Sequence, residues 1–358
     1  MYEDVTFESI LERMLDRVSD DYDKREGSVI YDALAPAAVE LQLMYIEFDR
    51  ILNESFADTA SREYLIKRAS ERGLAPLPAT KAILQGVFTG SITSADVLLQ
   101  RFNIGDINYI VTEVIDEGAG TYKVQCETPG TEGNRHLGDM LPINYIAGLE
   151  TAELTAVLIP GEDEEPTEDF RERYFNSFDS QSFGGNIADY KEKTNAIAGV
   201  GGVKVYPVWD GGGTVKLVII NSEYKKPTNV LISTVQETID PTQDASGLGL
   251  APIGHIVTVA GVEETTVNIN FHITYQSGWD WEALEPYVLA MVDDYFTELS
   301  GEWADSENIV VRISQLETRL LNITGVLDVA DTTINGVAAN LTVPANNIPI
   351  RGEVTDNG

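Results

Sequence analysis

The sequence predicts an α+β multidomain chain with an N-terminal helical segment, an antiparallel β domain and a C-terminal pair of small α/β modules. Three observations lead there. Residues 1 to about 75 repeat apolar side chains at helical spacing. Residues from about 80 to 160 switch to short β-type runs separated by Gly-containing turns. The remainder alternates strands with helices and shows the pattern I-x-G-V-x-x-V twice, at Ile197–Val203 and Ile323–Val329. The expected boundaries are 1–78 for the N-terminal helices, 79–162 for the β domain, 163–262 for the first α/β module and 263–358 for the second. A chain of 358 residues is long enough for several such units.

In the front segment, Ile10, Leu11, Met14, Leu15 and Val18 define a first helix. A polar break, SDDYDKREGS, precedes a second helix from about Ser28 to Asn53. Its apolar positions run for several turns, and Pro36 is a potential kink. A third helix, about Ser61 to Arg72, stops at Gly73 with Pro76 and Pro78 beyond. These helices either bundle with one another or offer a stripe to partner helices. The candidate partner-binding residues are Leu34, Leu41, Met44, Tyr45, Phe48 and Ile51.

The β runs are AILQGVFTG, NYIVTEVI, TYKVQCET and ELTAVLI. After them, PGEDEEPTEDFRERYFNSF opens a helix, with Pro166 in the first turn and acids at the positive end of the helix dipole. Further on, Val267, Ile269, Phe271, Ile273 and Tyr275 alternate along one strand face. A helix from about Trp281 to Leu299 follows, with Trp281, Leu284, Val288, Met291, Tyr295 and Leu299 as its buried stripe. The repeated pattern places Asn186 as one helix cap. It places Ser314 with Glu317 as a capping box for the other helix. Each helix then ends in a Gly stop followed by strand, turn and strand.

The glycine-dense stretch GVGGVKVYPVWDGGG raises the question of a phosphate loop. Its order is helix, Gly stop, strand, triple-Gly turn, strand, whereas a phosphate loop runs from strand through Gly-rich turn into a helix N-terminus. The glycines therefore read as structural. The better-placed anion site is Phe183-Gly184-Gly185-Asn186, where a flexible joint plus N-cap is the simpler reading.

The formal net charge is −34. Such a surface repels nucleic-acid phosphates and anionic lipids, so neither nucleic acid nor membrane is expected as a partner. The one cysteine, Cys126, excludes an intrachain disulfide. The start MYEDVTFES lacks a signal peptide's basic and apolar regions, so synthesis and folding in a cytoplasm are expected. His136, His255 and His272 lack zinc-site spacing, and no cofactor or metal site is expected. Glu162, Asp163, Glu164, Glu165, Glu168 and Asp169 are the densest carboxylates; they read either as a solvated helix start or as glycan-cleaving acids. Trp279 and Trp281 read either as a core plug beside the N-cap Asp280 or as a sugar-stacking pair.

The order of segments resembles the baseplate J-like family, wedge proteins of contractile phage tails and tail-like particles, bacteriocins among them. The resemblance is carried by REGSVIYDALAPAAVEL, SFADTASREYLIKRASERGLAPLPAT, GTEGN, PGEDEEPTEDFRERYF, FGGNIADYKEKTNAIAGVGGVKVYPVWDGGGTVKLVII, APIGHIVTV and ITGVLDVADTTINGVAANLTVPANNIPIRGEV. It implies a structural protein with no enzymatic step, made in a bacterial cytoplasm and built into a tail baseplate. Two copies are expected to join a second wedge protein, and six such wedges to close a ring around the central hub and spike, under the sheath-proximal proteins. The ring holds the ready state and relays the contraction trigger. The N-terminal helices are expected to bundle with the partner, and the α/β part to join copies and wedges. Two other classes stay open: a tail-associated glycan hydrolase or lyase, and a cell-surface binding module.

Overall fold

The computed structural model describes residues 2, 4–179 and 184–357, and they divide into two compact units: 1–77 with 165–179, and 78–164 with 180–358. Phe183 of the candidate anion site, with Met1 and Glu3 of the opening segment, lies outside the described residues.

The chain starts with α1 (Phe7–Leu15), α2 (Val29–Ser55) and α3 (Arg62–Ser70). Thr6 caps α1 by accepting from the Ser9 N–H, and Ser28 caps α2 by accepting from the Tyr31 N–H. Gly73, at φ +76°, turns the chain just beyond α3. The three helices do not share one core. Ile10 and Leu11 of α1 pack on Ala38 of α2. Leu65 and Ala69 of α3 pack instead on Phe170 and Tyr174, which come from far along the chain.

The β domain runs β1 (Ile83–Gly90), α4 (Ser94–Val97), β2 (Arg101–Ile104), β3 (Ile107–Asp116), β4 (Thr121–Cys126), β5 (Gly138–Asp139), β6 (Leu141–Pro142) and β7 (Leu149–Ile159). The sheet order is β5-β7-β1-β4-β3-β2-β6, antiparallel throughout. The two outermost strands are consecutive in sequence. The stretch 138–142 thus pairs with β7 at one end of the sheet and β2 at the other, and straps it into a near-barrel. Met140 plugs the interior under the strap, beside Phe88, Phe102 and Tyr122. Cys126 is fully buried, and burial pushes its thiol pKa up, as expected for a small core residue.

Next come α5 (Thr167–Asp179), α6 (Ile187–Asn195), β8 (Val200–Pro207), β9 (Thr214–Asn221), α7 (Asn229–Ile239) and β10 (Ile256–Gly261). α5 supplies Phe170 and Tyr174 to the α3 core. β8 and β9 form an antiparallel hairpin, and β10 lies parallel to β9. Gly211 and Gly213 hold positive φ in the connecting turn, at +101° and +85°. The glycine-dense stretch is therefore the turn from α6 into β8, three residues past the helix cap at Ala196, followed by a hairpin.

The last module contains β11 (Glu263–Tyr275), α8 (Trp281–Gly301), β12 (Val310–Val311), α9 (Ile313–Leu321), β13 (Val326–Ile334), β14 (Leu341–Thr342) and β15 (Asn347–Asp356). Its sheet is β13-β11-β15, antiparallel on one side of β11 and parallel on the other. The same motif underlies both modules: a central strand, an edge strand running against it that is entered from a helix through a Gly turn, and a second edge strand running with it. The connectivity differs. In the first module the antiparallel edge β8 precedes the central strand; in the second, β13 follows it. The second copy's last strand also departs from expectation: β14 pairs with β12, outside the β13 sheet.

Two helix starts test the expected caps. Asn186 accepts from the Asp189 N–H at 2.7 Å, as the sequence predicts. Ser314 is not a cap; α9 begins at Ile313, after Arg312. The Ile313 N–H donates to Asn340 Oδ1 at 3.0 Å and the Arg312 N–H to the Tyr295 hydroxyl at 3.2 Å. Distant side chains thus satisfy two N–H groups at this helix start, those of Arg312 and Ile313.

One core joins the two modules. Val218, Ile220 and Val262 of the first pack among Phe271, Val288, Trp303 and Leu316 of the second. Lys204 Nζ crosses the same boundary, donating to the Ala345 carbonyl at 2.7 Å and lying over the Trp303 ring.

Candidate partner interface

The carboxylate-rich stretch does not converge on a reaction centre. Glu162 accepts from the Gly199 N–H at 2.9 Å, and burial raises its pKa. Asp163 accepts from the Thr131 N–H and hydroxyl, which hold its pKa down. Glu165 is held by Arg173 at 2.7 Å and Glu168 by Arg171 at 3.0 Å. Arg171 also donates to the Ala57 and Ala60 carbonyls, fastening α5 to the segment between α2 and α3. Each acid for which a partner is described has a local structural task.

The other candidates are placed similarly. Trp279 covers Gly325, whose position leaves no room for a side chain; a Cβ there would lie 2.5 Å from the indole. Asp280 caps α8 through the Ala283 N–H. His255 Nδ1 is 2.7 Å from the Tyr190 hydroxyl, His136 lies beside Glu132, and His272 is exposed on its strand. Among the described residues, no group of three or more His, Cys, Asp and Glu side chains is arranged to hold a metal.

What stands out is α2. Its 27 residues bury a single side chain, Ala38. Tyr31, Leu34, Ala35 and Tyr45 are partly covered by α1, on the same face as Ala38. Tyr2 adds to that face, its ring packing at a tilt against Tyr45 and Phe48, with its N–H donating to Asp49. The six candidate residues are therefore split. Leu34 and Tyr45 belong to the contact with α1. Leu41, Met44, Phe48 and Ile51 are exposed, at 37 to 55% of their surface. They follow one another at spacings of three, four and three, so they form one line along the helix. Val39, Leu43 and Ile46 are exposed on another line, at 43 to 56%. The sequence concealed this division because apolar residues circle the helix, leaving no polar face to separate the line used by α1 from the lines left open.

An apolar surface of this extent on a surface helix makes α2 the candidate docking surface of the chain. Length and composition would also let α2 cross a membrane. Against that use, its second half carries Glu47, Asp49, Arg50 and Glu54, and one face is already committed to α1.

Comparisons with known proteins identify the family. The profile of the baseplate J-like central domain matches residues 182–261, and that of the baseplate J-like protein C-terminal domain matches 267–357. The phage-like element PBSX protein XkdT of Bacillus subtilis (strain 168) is 38% identical over 356 residues, covering 99% of this chain and 98% of that protein. The chain belongs to the baseplate J-like family. As a baseplate J-like protein, it is a baseplate component of a phage tail or tail-like particle. The uncharacterized protein YqbT of the same Bacillus strain is equally similar, at 38% identity over 356 residues. A chain in the cryo-EM structure of the anti-feeding prophage baseplate aligns over 96% of this chain and 90% of its own, with a TM-score of 0.45 and 9% identity.

Proposed function

We propose that this baseplate J-like protein is a wedge subunit. Two copies join one copy of a second wedge protein, and six such wedges close a ring around the central hub, in contact with the sheath-proximal baseplate proteins. The ring holds the pre-contraction state and passes on the trigger for contraction. The observation that carries this reading is α2: a helix of 27 residues with one buried side chain, in a member of a baseplate family. Such a surface gains stability only when a neighbour covers it. The role is structural, with no chemical step. The local tasks of Glu162, Asp163, Glu165 and Glu168 support that, since none is left converging on a shared substrate position.

Co-expression with the second wedge protein of the same particle, followed by light scattering, tests the reading. A hetero-oligomer with two copies of this chain per partner is expected. A chain that stays monomeric beside its partner at micromolar concentration overturns it. A reconstruction of the particle should trace this chain twice per wedge.

A further inference from the structure

The sheet β10-β9-β8 of the first module has two edges, and side chains close one of them. The Ile256 N–H donates to the Gly213 carbonyl and the Val262 N–H to the Ile219 carbonyl, both at 2.9 Å. Ile256, Thr258 and Ala260 therefore face β9, and Val257 and Val259 turn their backbone groups outward. Those groups meet side chains. The Val257 N–H donates to Asp240 Oδ2 at 2.9 Å. The Val257 carbonyl accepts from Gln236 Nε2 at 3.0 Å and from Gln243 Nε2 at 2.9 Å. The Val259 N–H donates to Gln236 Oε1 at 2.9 Å. Along β10 the edge thus meets an acceptor, a donor and an acceptor, the order in which a neighbouring strand would supply them.

The three side chains also hold one another. Gln236 Nε2 donates to the Asp240 carbonyl at 2.7 Å, and the Gln243 N–H donates to Asp240 Oδ1 at 3.0 Å. Asp240 is buried, whereas Gln243 lies at the surface. Gln243 reaches β10 from a left-handed backbone, φ +48°, which a non-glycine residue adopts at a cost.

The sequence explains why this edge needs cover. In a chain of net charge −34, residues 245–262 contain no Asp, Glu, Lys or Arg. β10 itself reads IVTVAG. An uncharged edge rich in β-branched residues is a template on which another chain can pair. Other edge strands carry their own protection. β13 has Asp328, whose carboxylate accepts the Val329 N–H at 2.9 Å, and β8 ends at Pro207. β10 has neither charge nor proline.

We infer that Gln236, Asp240 and Gln243 act as a substitute strand. They close the β10 edge against a second copy of this chain, so that free subunits do not pair edge to edge before they enter the particle. The inference concerns the free chain and stands apart from the wedge reading.

The test compares the full chain with its Gln236→Ala/Gln243→Ala variant. Analytical ultracentrifugation at micromolar concentration is expected to show self-association at least roughly tenfold tighter in the variant. Adding Ile256→Lys, at an exposed position of the same strand, is expected to restore the behaviour of the wild type. Hydrogen exchange read by mass spectrometry with fragmentation gives a second measure. Gln236→Met keeps the bulk and drops the hydrogen bonds. It is expected to speed exchange at Val259 at least roughly tenfold, with a smaller change at Val257, which Asp240 still holds. Self-association no tighter than in the wild type overturns the inference. So does association that Ile256→Lys leaves undiminished, which would assign it to another surface. Unchanged exchange at Val259 in Gln236→Met overturns it as well. If the alanine pair has no cooperative melt, Gln236→Met decides alone: it must both exchange faster at Val259 and self-associate more than the wild type, and failing either, the inference falls.

Discussion

Glu162 and Lys204 are two ionisable side chains taken out of water in opposite ways, and each makes a prediction. Glu162 sits where β7 meets the first α/β module, and its carboxylate accepts the N–H of Gly199. Burial raises its pKa, so the folded chain holds its proton to higher pH than the unfolded chain does. Stability should therefore fall as pH rises above the ordinary glutamate value through the folded one. Glu162→Gln keeps an acceptor for Gly199 and removes the charge. Urea midpoints between pH 4 and about 7 are expected to flatten in this variant, which should be at least as stable as the wild type at neutral pH. Lys204 has its pKa lowered, first by burial and then by Lys191. Here the unfolded chain binds more protons, and stability should rise with pH through the folded pKa toward the ordinary lysine value. Lys204→Met keeps the stem over Trp303. The Ala345 carbonyl keeps the Trp303 indole N–H at 3.0 Å, so the cost at neutral pH should stay within about 1 kcal/mol and the alkaline gain should vanish. Neither residue was legible as special in the sequence. Glu162 looked like one of a run of solvated acids, and Lys204 alternated normally along a strand, because their burial comes from segments far away in the chain.

At the scale of elements, the glycines of the helix-to-strand turns were legible as turn residues, though the helices end three residues before them, at Ala196 and Asn322, while pairings set at a distance were not legible. Gly199 and Gly325 hold φ +86° and +108° in the turns that lead from α6 into β8 and from α9 into β13, and both lie under packed side chains. A Cβ at Gly199 would come within 2.6 Å of Ile159, and one at Gly325 within 2.5 Å of Trp279. Alanine at either position should cost roughly 1–3 kcal/mol in thermal or urea unfolding. Gly212→Ala, with open space around it, should be close to neutral. The short β2, β5 and β6 escaped the sequence reading because two to four residues give no usable alternation, and their strand character depends on the closure they make. The expected capping box at Ser314 failed for a related reason: Asn340 and Tyr295 reach the helix start from elsewhere. α2 shows the same limit. Its existence and its Ser28 cap are local features, but α1 decides which of its apolar lines stays open. Substituting Leu41, Met44 or Ile51 with Asp should shift the stability of the isolated chain by about 0.5 kcal/mol or less, yet abolish capture by a wedge partner. Ile10→Ala, which hollows the α1–α2 contact, should instead cost about 2–5 kcal/mol within that hairpin. Circular dichroism melts beside pull-down yields separate the two classes.

At the scale of the whole molecule, the two α/β modules look separable in sequence because each has its own strands, helices and Gly stop. Reading their joints as flexible follows from that view, and the shared core changes it. Val218 and Ile220 point from β9 into the core of the second module, Val262 joins them, and Lys204 donates across to Ala345. A fragment of residues 184–262 would expose those apolar side chains and leave Lys204 without its carbonyl. It is expected to be unfolded or aggregated, with no cooperative melt. A fragment of residues 184–358 keeps the shared core intact and should melt in one transition. Calorimetry of the two fragments decides the matter. A folded 184–262 fragment, or two resolved transitions in 184–358, would mean that the modules move independently. The single transition expected here has a consequence for assembly. In a ring that reorganises on triggering, this part of the chain would move as one rigid block, and the rearrangement would have to fall at its contacts with other subunits.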